Sequence, residues 1–110
     1  MTTLNAYRDL CHEIAKSKGW YDGPGERNIG EQLMLVVTEV AEAMEDLRTG
    51  AMSLSYDENG KPIGFPIEIA DVMIRIFDLA GYLRIDLEDA VETKMQYNHS
   101  RPYRHGGKLA

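Results

Sequence analysis

Apolar residues recur along this chain at intervals of three and four, the spacing that places side chains on one face of an α-helix. Residues that commonly cap helices lie at the boundaries of these segments: Thr3, Asn28 and Asp86 precede three of them, and Gly50 follows one. Pro66 suits the first turn of another, where its missing N–H costs nothing. The pattern predicts four helices, over residues 4–18, 29–49, 66–83 and 87–99.

Residues 51–65 interrupt the helical pattern. The turn-forming sequence at residues 57–60, followed by a proline and a glycine, predicts a short hairpin or a loop. The tail over residues 101–110 is predicted to be extended or frayed. Because 110 residues is an ordinary domain length, we expect one all-α domain over residues 1–110, with an insertion between its second and third helices.

The third predicted helix is apolar over most of its circumference. Its polar residues share one narrow stripe on a helical wheel; they are Glu68, Asp71, Arg75, Asp78 and Tyr82. A surface helix usually shows the reverse, a wide polar face and a narrower apolar one. We therefore expect this helix to be buried on most sides, either in a tight bundle or between the chains of an oligomer.

The second predicted helix brings a matching pair of acids. Glu39 and Glu42 are three residues apart, and so are Glu68 and Asp71 on the third helix. If the two helices face each other, four carboxylates converge, and such hard oxygen donors suit Mg²⁺. No histidine follows a helical glutamate by three residues, which argues against a di-iron bundle. The alternative for Glu39 and Glu42 is a solvated acidic face.

Two further sets of residues suit a nucleotide. Lys94, Asn98 and Arg101 follow one another at i, i+4 and i+7, and their side chains are common donors to phosphate. The alternative is that these cations are favoured by the dipole at the C-terminal end of a helix. Trp20, the only tryptophan, follows the first helix and is able either to stack on a base or to close a small core.

Charge and cysteine content limit the partners and the compartment that we expect for this chain. The net charge of −6 argues against nucleic-acid binding, which depends on clustered lysines and arginines. Cys11 is the only cysteine, so the chain forms no intramolecular disulfide and suits a reducing compartment. The sequence shows neither a signal segment nor an apolar run long enough to cross a bilayer. We expect a cytoplasmic protein with no nucleic-acid or membrane partner.

From its first helix to about Lys108, the chain resembles the MazG-like nucleotide pyrophosphohydrolases of the all-α NTP pyrophosphatase superfamily. The resemblance lies in E-V-A-E at residues 39–42, E-I-A-D at residues 68–71, and K-x-x-x-N-x-x-R at residues 94–101. The E-x-x-D motif on an otherwise apolar helix is the most specific part. Many members have an acid where this chain has Thr38, so a role for that acid cannot be transferred.

The resemblance implies hydrolysis of a nucleoside triphosphate to the monophosphate and pyrophosphate, in nucleotide pool sanitation or control. It implies a four-helix module that assembles as a homodimer or homotetramer. It also implies Mg²⁺, or Mn²⁺ as a substitute, held by four acids, of which Glu39 and Glu42 are candidates to orient or deprotonate the attacking water. The implied metal ligands are Glu39, Glu42, Glu68 and Asp71, and the implied substrate contacts are Trp20, Lys94, Asn98 and Arg101.

Two rival functions are compatible with the same sequence. One is another enzyme of the superfamily, a dUTPase or a phosphoribosyl-ATP pyrophosphohydrolase, which differs in its substrate. The other is a non-catalytic helical interaction protein, in which the acidic stripe is a surface for a partner and the apolar third helix is a dimer contact.

Overall fold

Four long helices form in the order that the sequence predicts, which confirms the all-α class. In the computed structural model, which describes residues 2–110, a two-stranded hairpin separates the second and third helices, and one short helical turn follows the fourth. The elements are α1 (Leu4–Ser17), α2 (Ile29–Thr49), β1 (Ser55–Tyr56), β2 (Pro62–Ile63), α3 (Phe65–Leu83), α4 (Leu87–Ser100) and α5 (Arg104–Gly107). No helix within residues 2–110 combines the length and apolarity that a bilayer crossing requires.

Side-chain caps fix where three helices begin. Thr3, Asn28 and Asp86 each accept a hydrogen bond from a backbone N–H in the first turn of α1, α2 and α4, at 3.0–3.1 Å. The predicted bounds of α2 are confirmed at both ends. Helix α3 begins one residue earlier than predicted, at Phe65, because a proline is tolerated anywhere in the first turn, where N–H groups have no helical partner.

The insertion is a hairpin, one of the two forms that the sequence predicts. Its strands pair antiparallel, with Ser55 opposite Ile63. The Asp57 carboxylate closes the turn by accepting hydrogen bonds from the N–H groups of Asn59 and Lys61, at 2.8 and 2.9 Å. The tail is not extended throughout, because residues 104–107 form a turn in which His105 and Gly106 have positive φ.

Helix α3 packs against both α1 and α2. Gly81 permits its close approach to α1, because a Cβ at this position would lie 2.6 Å from the Cβ of His12 and 3.0 Å from the carbonyl oxygen of Arg8. Helix α4 packs mainly on α1. Asn5 connects the two: its side chain donates to Asp86 at 3.0 Å and accepts from the N–H of Leu87 at 2.9 Å.

The expected burial of α3 on most sides does not occur within one chain. Of its residues in the described part of the chain, Phe77 and Ala80 are the buried ones. The apolar face of α2 is also open, with side chains 51–56% exposed; they are Leu33, Val37, Val40, Met44 and Leu47. The radius of gyration is 16.8 Å, against about 13 Å for a compact domain of similar length. Two helices against α3 are too few to cover its apolar circumference.

We predict that Gly81→Ala lowers the free energy of unfolding by about 1–3 kcal/mol, because the new methyl group collides with His12 and overpacks the α1–α3 contact. The gain in helix propensity, about 1 kcal/mol at most, does not offset this cost. Urea unfolding at equal protein concentration measures the difference.

Gly30→Ala is the matched control in α2. The nearest atom to its added Cβ would be Oδ1 of Asn28 at 3.4 Å, an ordinary contact. This variant should be stabilised by about 0.5 kcal/mol. Equal stabilisation of both variants would show that the α1–α3 contact is not tight at Gly81.

Candidate functional site

Three carboxylates meet where α2 packs against α3. Oxygen atoms of Glu39, Glu68 and Asp71 all lie within 4.8 Å of one another. Glu39 projects from the middle of α2, and the other two lie one turn apart near the start of α3. The helical spacing of the two motifs therefore brings three of the four predicted metal ligands together.

The cluster carries an electrostatic cost. Desolvation, and then the neighbouring charges of Asp71 and Asp46, raise the pKa of Glu68 above its ordinary value. Desolvation, and then Glu39, raise the pKa of Asp71, although the cations of Lys61 and Arg75 act in the opposite direction. Burial and mutual repulsion therefore both disfavour the ionised forms of these acids, and Lys61 and Arg75 offset only part of that cost for Asp71.

Glu42, the fourth predicted ligand, is exposed and lies outside the group of converging oxygens. Its charge still contributes to the raised pKa of Glu68. One turn further along α2, Oδ2 of Asp46 is shielded from solvent and has no hydrogen-bond partner within residues 2–110. The acidic side of α2 thus extends from Glu39 past Glu42 to Asp46, further than the E-x-x-E motif indicates.

A cleft of about 580 Å³ runs from the acidic cluster towards the end of α1. Glu39 and Asp71 lie on its wall, together with Arg75 of α3 and with Trp20 and Arg27 of the loop after α1. Trp20 is 71% exposed, so within this chain it does not close a core. The cleft therefore combines an aromatic surface, two guanidinium groups and a carboxylate cluster.

The loop that follows α1 is attached to the helices by a polar aromatic network. Asp78 of α3 lies at its centre, with Oδ1 2.9 Å from both Nδ1 of His12 and the hydroxyl of Tyr21. The Tyr21 ring stacks on that of Tyr82. The guanidinium of Arg27 lies over the Tyr21 ring, and the backbone N–H of Arg27 donates to the Tyr82 hydroxyl. Burial, followed by the bond to Asp78, raises the pKa of Tyr21. The network holds one wall of the cleft.

The predicted substrate contacts on α4 are not brought to the acidic cluster within one chain. Among the described residues, no side chain of α4 or of the following segment lines the cleft. Lys94 and Arg101 instead lie over the ring of Tyr97, at 4.9 and 5.5 Å from its centroid, and Asn98 is exposed. Within one chain, the spacing of residues 94–101 therefore places two cations beside the same aromatic ring, that of Tyr97.

No role is predicted from the sequence for several residues in or near the cleft. Arg75 and Asp78 were visible as members of the polar stripe on α3, which indicates a shared direction but no partner. Arg27 and Tyr21 lie in an irregular loop, where no periodicity predicts which way a side chain points. Lys61 belongs to the hairpin, and its effect on Asp71 depends on how the hairpin folds over α3.

Comparison of the chain with known protein families, curated proteins and solved structures found no match. The resemblance to the MazG-like enzymes therefore remains a prediction that rests on the three motifs.

We predict that Glu68→Gln raises the melting temperature at pH 7 when divalent cations are absent. The folded-state pKa of Glu68 is raised, so between the ordinary carboxyl pKa and the raised value the folded state binds more protons than the unfolded state. The stability of the folded protein therefore falls as pH rises through that window. The neutral glutamine of the variant does not ionise, so the variant does not lose this stability. Thermal melting at pH 7 and pH 4 measures the effect, which should shrink at pH 4.

Glu58→Gln is the control, because Glu58 is an exposed acid at the tip of the hairpin. Its melting temperature should follow that of the unaltered protein at both pH values. A lower melting temperature for Glu68→Gln at pH 7 would contradict net repulsion within the cluster.

We also predict that Tyr21→Phe lowers the free energy of unfolding by about 1 kcal/mol, because Asp78 loses one hydrogen-bond donor in a half-buried position. Urea unfolding followed by Trp20 fluorescence measures this change beside the affected loop. Tyr56→Phe is the control, since Tyr56 is exposed on the hairpin and should change stability little. Equal effects of the two variants would mean that the bond to Asp78 does not stabilise the loop.

Proposed function

We propose that this protein hydrolyses a nucleoside triphosphate to the monophosphate and pyrophosphate, with Mg²⁺ as cofactor and Mn²⁺ as a substitute. One observation carries the proposal: three carboxylates converge at one end of a cleft whose walls also present two arginines and an exposed tryptophan. A metal-dependent nucleotide hydrolase needs acidic side chains to bind a divalent cation, basic side chains to bind phosphate, and an aromatic ring to stack on the base. Such an enzyme fits nucleotide pool sanitation or control.

The donor set fits a hard divalent cation. Glu39, Glu68 and Asp71 offer oxygen ligands, which Mg²⁺ and Mn²⁺ prefer. Burial, followed by the charges of neighbouring acids, raises the pKa of Glu68 and of Asp71, and the shielded Oδ2 of Asp46 has no donor within residues 2–110. Glu42 is exposed and lies outside the converging oxygens, and we retain it as an outer ligand because its charge acts on Glu68.

Bound magnesium would neutralise phosphate charge and make water more acidic. The reaction forms a bond between a water oxygen and the α-phosphorus and breaks the bond from that phosphorus to the bridging oxygen, so that pyrophosphate leaves. We assign Glu39 or Glu42 to orient the water and accept its proton. Arg27 and Arg75 line the cleft where they can donate to phosphate oxygens, and Trp20 offers its exposed face to the base.

The proposal includes self-assembly. The chain exposes 8565 Å², about 2,400 Å² more than a compact monomer of this size. Permanent interfaces bury upward of about 2,000 Å² in total and are apolar, like the open faces of α2 and α3. A homodimer or homotetramer would cover these faces, and it is in such an assembly that Lys94, Asn98 and Arg101 would reach a nucleotide.

The experiment incubates the purified protein with Mg²⁺ and a panel of ribo- and deoxyribonucleoside triphosphates, including dUTP, together with phosphoribosyl-ATP. Ion-exchange chromatography resolves the products. We predict monophosphate and pyrophosphate from one or a few of them, and the preferred substrate separates a general enzyme from a dUTPase or a phosphoribosyl-ATP pyrophosphohydrolase. EDTA should abolish turnover.

We predict that Glu39→Gln and Asp71→Asn each reduce turnover at least about 100-fold, because each removes a charged oxygen donor from the cluster. Glu58→Gln is the matched control and should retain activity. Diphosphate and orthophosphate as products would contradict attack at the α-phosphorus. No turnover of any substrate, without a rise in melting temperature on adding Mg²⁺, would favour the helical interaction protein instead.

A further inference from the structure

One carboxylate of the acidic cluster already has a cation. Nε of Arg75 lies 2.8 Å from Oε1 of Glu39, in a bond that joins α3 to α2. The Glu39 side chain is 18% exposed and that of Arg75 is 39% exposed. The guanidinium therefore meets Glu39 from the side of the cleft, which Arg75 lines, and the protein does not enclose it.

The same carboxylate is one of the three whose oxygens converge. A guanidinium and a divalent cation at Glu39 would compete, because they repel each other and draw on the same negative charge. The charge of Arg75 also counteracts the raised pKa of Asp71, so one arginine compensates two of the three acids. Arg75 thus occupies the position of a counter-ion for the cluster.

Released from Glu39, the guanidinium has few other partners in the cleft. On α3 it lies one turn after Asp71 and one turn before Asp78. Oδ1 of Asp78 is already bonded to His12 and Tyr21, and Glu31 is the other acid on the cleft wall away from the cluster. Phosphate oxygens in the cleft would offer the released arginine a stronger, bidentate partner.

We propose that Arg75 is a resident counter-ion that a divalent cation displaces from Glu39, and that the displaced guanidinium then binds the phosphates of the substrate. This inference rests on the proposed function and deepens it, since it makes metal binding the step that prepares the phosphate contact. Without metal, Arg75 offsets part of the negative charge of the cluster, and after metal binds its guanidinium becomes available to phosphate.

The proposal predicts effects of opposite sign on two ligands. Arg75→Gln should bind Mn²⁺ about fivefold more tightly than the unaltered protein, because a competing cation is gone. At saturating Mg²⁺, the same variant should bind inorganic triphosphate about tenfold or more weakly, because a charged donor is gone. Electron paramagnetic resonance of free Mn²⁺ measures the first affinity, and titration calorimetry measures the second.

Two controls separate this role from loss of structure or of charge. Arg48→Gln removes a positive charge from the last turn of α2, about 13 Å further along the helix from Glu39, and should change neither affinity. Arg75→Lys keeps the cation and should keep Mn²⁺ affinity near that of the unaltered protein. A purely structural role for Arg75 would weaken both ligands in Arg75→Gln.

The outcomes are distinct. Unchanged or weaker Mn²⁺ binding by Arg75→Gln overturns the displacement, and unchanged triphosphate binding overturns the phosphate contact; either result rejects the proposal. Failure of the unaltered protein to bind Mn²⁺ would instead reject the proposed function. That measurement uses no Arg75 variant, so the two failures are distinguishable. Tighter Mn²⁺ binding together with weaker triphosphate binding supports the proposal.

Discussion

Repulsion between carboxylates held together by two packed helices is the constraint on which the site depends. Side chains of Glu39, Glu68 and Asp71 would separate if they were free, but helix packing fixes their origins. Two cations reduce this repulsion: Arg75 on α3 and Lys61 in the hairpin. Both cations are at least partly exposed side chains rather than buried partners.

Much of the fold could be predicted from the sequence because helix periodicity and capping are local. Asn28 and Gly50 bound α2 as predicted, and Asp86 caps α4. The approach of Glu39 to Glu68 and Asp71 was also predictable, since two i, i+3 motifs on helices that pack together face one another. The bond from Arg75 to Glu39 was not predictable, because the polar stripe on α3 shows which way Arg75 points but not how far it lies from α2.

Long-range geometry accounts for the remaining differences. From the sequence alone, Gly81 is only a residue of low helix propensity in α3, whereas in the fold it permits the close approach of α1, a relation between residues far apart in sequence. The direction of Tyr21 and Arg27 depends on a loop without periodicity. The sequence predicted that the apolar circumference of α3 is covered. Within one chain, Phe77 and Ala80 are its buried residues among those described, and coverage by a second chain stays a prediction.

The attachment of the loop after α1 links the cleft to the helix packing. His12 bonds to Asp78, and its Cβ is close to Gly81, so one residue takes part both in the network and in the α1–α3 contact. Arg27 donates its backbone N–H to Tyr82 on the same helix. The loop is therefore attached to both helices. We expect the amide hydrogen of Arg27 to exchange with solvent only when the loop separates from α3, and an occupant of the cleft to slow that exchange.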